Sequence, residues 1–181
     1  GTEAATALLK DIYPGPIGPV PAGSAPENLT DVDGTLFFIA NDGSNGFELW
    51  KSDGTEAGTV LVKDNYPGAS GTFPTNLTNV NGTLFFSAND GPTGKELWKS
   101  DGTGAGTVLV KDIYAGTVGP YPYSSAPENL TDVNGTLFFI ANDGASGKEL
   151  WKSDGTAAGT VLVKDIYPGT DGSSAVSLTD G

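Results

Sequence analysis

The chain has 181 residues, a net charge of −13 and a pI of about 4.1, and its nine basic residues are all lysines. Nucleic acid and anionic membrane surfaces are therefore not expected as partners, because both require a basic face. Cys, His and Met are absent, which excludes disulfides, thiol chemistry and histidine catalysis. The missing Met indicates a processed chain or a piece of a longer one.

A repeat organises the whole sequence. Its clearest copies span residues 48–64, 96–112 and 149–165, and the back half of a further copy occupies residues 1–11. The steps between copies are 53, 48 and 53 residues. We predict one repeat domain, with repeats at 1–53, 54–101 and 102–154 and a partial repeat at 155–181.

The first part of the chain is predicted to be the end of an incomplete repeat. Residues 7–9 form its strand core. Residues 13–27 carry five prolines, which disfavour helix and interior strand, so we predict an ordered loop there. The loop length varies between copies, as is typical of a surface connection.

The first full cycle is predicted to contain four short strands. Asp33-Gly34 separates two apolar runs and predicts a tight hairpin turn, since such turns need positive φ at both central residues. The run at 35–40 is apolar on both faces, so we expect it to be covered from both sides. The predicted strands are 28–32, 35–40, 47–52 and 60–64. The cycle restarts at Asn76 and Asn129, and a decayed first strand is predicted at 177–179.

Four antiparallel strands per repeat without a helix predict an all-β chain. We predict a β-propeller-type repeat of four-stranded blades, with about three and a half repeats present. A β-solenoid or a linear stack of sheets is the alternative, but these have shorter coils. Because propellers usually have about four to eight blades, the sequence indicates either a window of a longer array or a protomer that closes by assembly.

The run Glu-Leu-Trp-Lys-Ser-Asp-Gly-Thr-x-x-Gly-Thr at residues 149–160 resembles the ELWxxDGT repeat of large secreted bacterial proteins. The flanking Asn-Gly-Thr-Leu-Phe-Phe and Val-Lys-Asp-Ile-Tyr-Pro-Gly runs are similar to that family as well. This resemblance covers nearly the whole chain. It implies an extracellular or cell-surface bacterial protein with a propeller-like repeat region, and it implies no enzyme activity and no ligand set. The incomplete first copy departs from the motif at Ala5, which replaces the second glycine.

Two groups of aromatic residues are candidates for different roles. The repeated tryptophans are predicted to pack between blades, with each indole N–H hydrogen-bonded. The alternative for them is a stacking platform for sugar rings. Aromatic residues that lie in or before the variable loops are better ligand candidates. The tryptophans are Trp50, Trp98 and Trp151, and the loop candidates are Tyr66, Phe73, Tyr114, Tyr121, Tyr123 and Tyr167.

Repeated carboxylates have structural and chemical interpretations. Oxygen ligands on Asn-Asp-Gly turns suit Ca²⁺, although such residues also stabilise turns without metal. These calcium candidates are Asp42, Asp90 and Asp143. The aspartates of the Asp-Gly-Thr hairpins are predicted to be turn formers. Glu48, Glu96 and Glu149 are identical in every copy, whereas an active site needs one asymmetric group of residues, so we predict no enzyme activity and no obligatory cofactor.

The sequence favours a non-enzymatic extracellular scaffold, structural or adhesive, that associates with other copies of itself or with further repeats of a longer chain. A multivalent lectin-like propeller that binds glycans is the second hypothesis. An engineered or excised propeller fragment is the third.

Overall fold

A computed structural model describes residues 6–17, 20–21, 23–170 and 172. Within them the chain forms three four-stranded antiparallel sheets and two two-stranded ribbons. The first ribbon pairs β1 (Pro16–Ile17) with β2 (Val20–Pro21). The first sheet contains β3 (Glu27–Val32), β4 (Thr35–Asn41), β5 (Phe47–Ser52) and β6 (Val60–Lys63). The second sheet contains β7 (Thr75–Val80), β8 (Thr83–Asn89), β9 (Lys95–Ser100) and β10 (Val108–Lys111). The second ribbon pairs β11 (Thr117–Val118) with β12 (Tyr121–Pro122). The third sheet contains β13 (Glu128–Val133), β14 (Thr136–Asn142), β15 (Lys148–Ser153) and β16 (Val161–Lys164).

The predicted repeat of four-stranded antiparallel blades is confirmed. Strands follow chain order in every sheet, and the observed bounds differ from the predicted ones by about one residue. The sequence period, counted from Gly54, divides each sheet between its third and fourth strands. The described residues form no closed ring, and they include no helix that could cross a membrane.

The first strand of each sheet contains a β-bulge and ends in a tight hairpin turn, and each of these features matches a sequence motif. Asp33 and Gly34 have φ of 50° and 83°, as the predicted turn requires. Asn28 has a φ of 55° and lies where the pairing of β3 with β4 shifts register. Asparagine tolerates this left-handed conformation better than most residues. The Asn-Leu-Thr motif therefore marks a β-bulge in the first strand.

The proline-rich segment differs from the loop that we predicted. β1 and β2 form a short ribbon there, and β11 and β12 form a similar ribbon in the other inserted loop. A two-stranded ribbon has only edges, so prolines at its ends need not donate to a further strand.

The strand predicted at residues 7–9 is not observed. The equivalent strand β6 pairs with β5 of its own sheet, but the described chain offers no such partner to residues 7–9. Leu8 is consequently 81% exposed. The strand predicted at 177–179 lies outside the described residues.

The hydrophobic core lies between sheets. Leu84 and Phe86 of β8 are almost fully buried and pack in one cluster with Phe37 and Val62 of the first sheet. The equivalent cluster between the second and third sheets contains the corresponding residues, including Leu137. Each sheet therefore depends on its neighbour for the cover of an apolar face.

We predict that Leu84→Ala and Leu137→Ala will each lower the free energy of unfolding by about 2–5 kcal/mol, because each removes a side chain with no exposed surface. Urea unfolding measures the loss. Val118→Ala is the control, since Val118 is 61% exposed, and it should change stability by less than about 0.5 kcal/mol. Equal losses in all three variants would contradict a core placed between the sheets.

Candidate functional site at the sheet junctions

The aspartates of the Asp-Gly-Thr hairpins stabilise the turns, as predicted. Asp53 Oδ1 accepts hydrogen bonds from Thr55 N at 2.9 Å and from Thr55 Oγ1 at 2.7 Å. These bonds lower the pKa of Asp53. A Cβ at Gly58 would lie 2.0 Å from Asp53 Oδ1, so any other residue there would displace the Asp53 carboxylate from its hydrogen bonds with Thr55. The spacing of the Asp-Gly-Thr-x-x-Gly-Thr motif follows from this packing.

The last threonine of the motif anchors the hairpin to its sheet. Thr59 Oγ1 lies 2.7 Å from Ser52 Oγ and donates to the carbonyl oxygen of Thr55, and Ser52 and Thr59 are both buried. The same hydroxyl pair recurs as Ser100–Thr107 and Ser153–Thr160. The Ser and Thr that recur in every copy thus form a hydrogen bond that connects the hairpin to its strand.

A buried glutamate binds the segment that leaves each sheet. We call this segment the link; it runs from the last residue of the fourth strand to the next sheet, over residues 63–74 and 111–127. Glu48 on β5 has no exposed surface; its two carboxylate oxygens accept from Thr72 N at 2.7 Å and from Thr72 Oγ1 at 2.6 Å. The carbonyl oxygen of Thr72 accepts from Asn89 N of the second sheet at 3.0 Å. One residue, Thr72, is therefore bonded to two successive sheets.

The second junction repeats this arrangement. Glu96 accepts from Ser125 N at 2.7 Å, from Ile113 N at 3.0 Å and from Ser125 Oγ. The carbonyl oxygen of Ser125 accepts from Asn142 N of the third sheet at 3.0 Å. In the third copy, Glu149 accepts from the backbone N–H groups of Ile166 and Tyr167. These glutamates act as clamps for the links, a role that the sequence did not reveal.

Burial raises the pKa of Glu48 and of Glu96 to about 7. The hydrogen bonds from Thr72 and Ser125 oppose this rise, because they favour the charged form. Nearby carboxylates add to the rise: Asp64 and Asp42 beside Glu48, and Asp112 beside Glu96. Glu48 and Glu96 therefore exchange a proton close to neutral pH.

A lysine and a tyrosine of each link bind the next sheet. Lys63 Nζ donates to the carbonyl oxygen of Thr107 at 2.8 Å, and Lys111 Nζ makes the equivalent bond to Thr160. The ring of Tyr66 lies against Gly91, where a Cβ would be 2.5 Å from its Cε2 atom. Tyr114 lies against Gly144 in the same way. The glycine of each Asn-Asp-Gly turn is thus the seat of the tyrosine from the preceding link.

The loop aromatics do not converge on one site. Tyr114 stacks on Tyr123 with a centroid distance of 4.4 Å, and Phe73 lies 5.6 Å from Phe47. Tyr121 is 71% exposed. These contacts order the links, and the lectin hypothesis for these residues stays a prediction.

Two of the three tryptophans lie in the junctions between sheets, but the expected hydrogen bonds are absent. Trp98 and Trp151 belong to the clusters between sheets, and Trp50 packs beside Phe38 and Ile12. No indole N–H has a partner within the described part of the chain. The prediction of a hydrogen bond from each indole N–H is therefore wrong among the described residues.

The calcium candidates are engaged in their turns. Asp42 accepts from Ser44 N and Asn45 N, Asp143 from Ala145 N and Ser146 N, and Asp90 from Thr93. No cluster of three or more metal-ligating side chains was found among residues 6–17, 20–21, 23–170 and 172. Calcium binding stays a prediction, and each carboxylate has a structural role in its turn.

The first and third sheets each carry an exposed apolar face, and the equivalent faces are covered at the junctions inside the chain. Val62 and Val110 are 8% and 6% exposed at the inner junctions, whereas the equivalent Val163 is 44% exposed. We define the outgoing face of the third sheet by the residues that match the covered side of the second sheet: Val133, Phe138, Leu150, Val163 and Ile166.

The first sheet carries the complementary surface. Leu84 and Leu137 are fully buried, but the equivalent Leu36 is only half-buried, and Leu29 is 64% exposed. We define the incoming face as Leu29, Leu36, Phe38, Ala40, Trp50 and Leu61. An apolar groove of about 460 Å³ runs along it.

Comparison with known proteins gives no relative: no family profile, no curated protein and no solved structure matches the chain. The resemblance to the ELWxxDGT repeat therefore stays a prediction.

The first site prediction concerns pH. The folded chain holds protons on Glu48 and Glu96 that the unfolded chain releases above their ordinary pKa of 4.5. We expect the free energy of unfolding to fall between pH 4.5 and 7, by at most about 1.4 kcal/mol per pH unit for each glutamate. Urea unfolding across this range measures the slope. Glu48→Gln should reduce the slope by up to about half, because Glu96 still titrates, while Glu56→Gln, at an exposed glutamate, should leave it unchanged. An unchanged slope in Glu48→Gln would refute the clamp as its source.

The second site prediction concerns the tyrosine seat. Gly34 and Gly91 have φ of 83° and 85°, but only a Cβ at Gly91 would meet a ring. Gly34→Ala should cost about 1–2 kcal/mol of stability from the left-handed conformation alone. Gly91→Ala should cost more, because the Tyr66 ring must move. In Gly91→Ala/Tyr66→Ala the two losses should not add; strict additivity in thermal unfolding would rule out the contact.

Proposed function

We propose that the chain is a non-enzymatic structural repeat module, and that its end faces bind further copies of the same repeat. The observation that supports this is the pair of open faces on the first and third sheets. Each matches one side of a junction that is closed twice inside the chain; the one difference is Asn65 at the first junction, where the second junction has Ile113 and the outgoing face has Ile166. The proposed contact continues an interface that the chain already makes.

The proposed association is head to tail. The outgoing face of one copy meets the incoming face of the next, so the two surfaces differ and the interface is heterologous. Val163 would take the place of Val110, and Ile166 that of Ile113, which is 8% exposed at its junction. Such contacts give a closed ring if the rotation closes and a filament if it does not. Two copies carry six four-stranded sheets, a number within the usual range for propellers.

The proposed setting is extracellular. It rests on the composition and on the resemblance to secreted bacterial repeats. A scaffold of this kind presents its links at the surface and needs no ligand to fulfil its role. The net charge of −13 makes copies repel, so association should be stronger in salt, which screens charge.

The test uses two charged variants, each of which disables one face. Leu29→Glu removes the incoming face and Val163→Glu the outgoing face; both residues are exposed in the single chain, so folding should be preserved. Light scattering at physiological salt should show assembly of the wild type with rising concentration. Each variant alone should stay at the mass of one chain, and an equal mixture should stop at two chains.

The control is Val118→Glu, at an exposed valine of the second ribbon, which should assemble as the wild type does. A wild type that keeps the mass of one chain at every concentration would contradict association of the chain with its N-terminal segment in place. Higher assemblies in the mixture would contradict the head-to-tail geometry, since each variant retains only one working face.

A further inference from the structure

The incoming face is already partly occupied by the chain's own N-terminal segment. Lys10 Nζ donates to the carbonyl oxygen of Thr59 at 2.7 Å, which is the bond that Lys63 and Lys111 make at the inner junctions. Ile12 is 9% exposed and packs with Phe38 and Trp50.

Tyr13 completes the match. A Cβ at Gly43 would lie 2.3 Å from Tyr13 Cε2, so this ring sits on its glycine as Tyr66 and Tyr114 sit on theirs. Three residues, Lys10, Ile12 and Tyr13, therefore fill on the first sheet the positions that the link of a preceding sheet fills elsewhere.

The same three positions are open at the other end. Lys164, Ile166 and Tyr167 are all exposed, with Ile166 at 59% and Tyr167 at 58%. In a head-to-tail junction these residues would need the bond to Thr59, the pocket beside Trp50 and the seat on Gly43. Two segments of identical role then compete for one site.

The N-terminal segment covers its site incompletely. At the second junction the second sheet contributes Val80, Phe85, Leu97 and Val110 in addition to its link. Among the described residues no sheet precedes residues 8–13, and the groove of about 460 Å³ remains beside them. Leu8 stays exposed, as does Leu29 opposite. An arriving outgoing face would bury apolar surface that the segment leaves in water, which favours exchange.

We infer that residues 8–13 are a displaceable plug, which holds the incoming face closed until residues 161–167 of a second copy of this 181-residue chain replace it. The inference rests on the proposed head-to-tail association and adds its regulation. The plug lowers the apparent affinity by the fraction of copies in which the site is open. It thereby keeps the single chain separate at low concentration.

The experiment compares matched triple variants at the two ends. Lys10→Ala/Ile12→Ala/Tyr13→Ala weakens the plug, so light scattering should show assembly at a concentration at least about tenfold lower than for the wild type. Lys164→Ala/Ile166→Ala/Tyr167→Ala weakens the competitor, so assembly should need at least about tenfold more protein. If the plug variant assembles no better than the wild type while the wild type assembles, the plug inference fails and the proposed function stands. If neither the wild type nor the plug variant assembles, both fail.

A second measurement uses the wild-type chain without any substitution. Hydrogen exchange of the wild type, followed from low to high concentration, should become faster in residues 8–13 and slower in residues 161–167. Exchange that slows in both segments would show that the N-terminal segment remains in place, and the plug inference would be wrong even if the destabilised triple variant fails to fold.

Discussion

The structure depends on one constraint: no sheet of this chain can cover both of its own apolar faces. The strand at 35–41 and its equivalents have side chains that face both neighbours, so burial is completed only when sheets stand side by side. Hydrophobic stabilisation is therefore a property of the junction and not of the repeat. The inner sheet, covered twice, is complete, while the outer two each retain an open side.

The junction combines apolar packing with hydrogen bonds, which are more directional. The hydrophobic clusters provide the energy, but apolar packing alone permits neighbouring sheets to slide. Glu48, through Thr72, and Lys63, through Thr107, fix the distance and the register between sheets. Because Glu48 is a buried acid with a raised pKa, the free energy of unfolding depends on pH and should rise as the solution is acidified from pH 7 toward pH 5.

Local features were predictable because their causes are local. Asp33-Gly34 predicts a turn because these residue types tolerate positive φ, and the apolar composition of the strand at 35–41 predicts that it is buried. The clamps were not predictable in this way. Glu48 and Thr72 are 24 residues apart, and an insertion changes the equivalent distance between Glu96 and Ser125 to 29. The unpaired tryptophan N–H groups and the unformed strand at 7–9 were missed for a related reason, since both depend on which partner the fold supplies.

The unequal links have a consequence for how such a chain can change over generations. The first link, 63–74, and the longer one, 111–127, are each held by the buried glutamate of the preceding sheet, although the latter carries the additional ribbon β11–β12. Because hydrogen bonds hold both ends of each link, the length of the link does not determine where the next sheet lies. Duplication, deletion or exchange of link sequence can therefore diversify the surface while the copies of the sheet remain nearly identical, so variety and uniformity are inherited in different parts of one repeat.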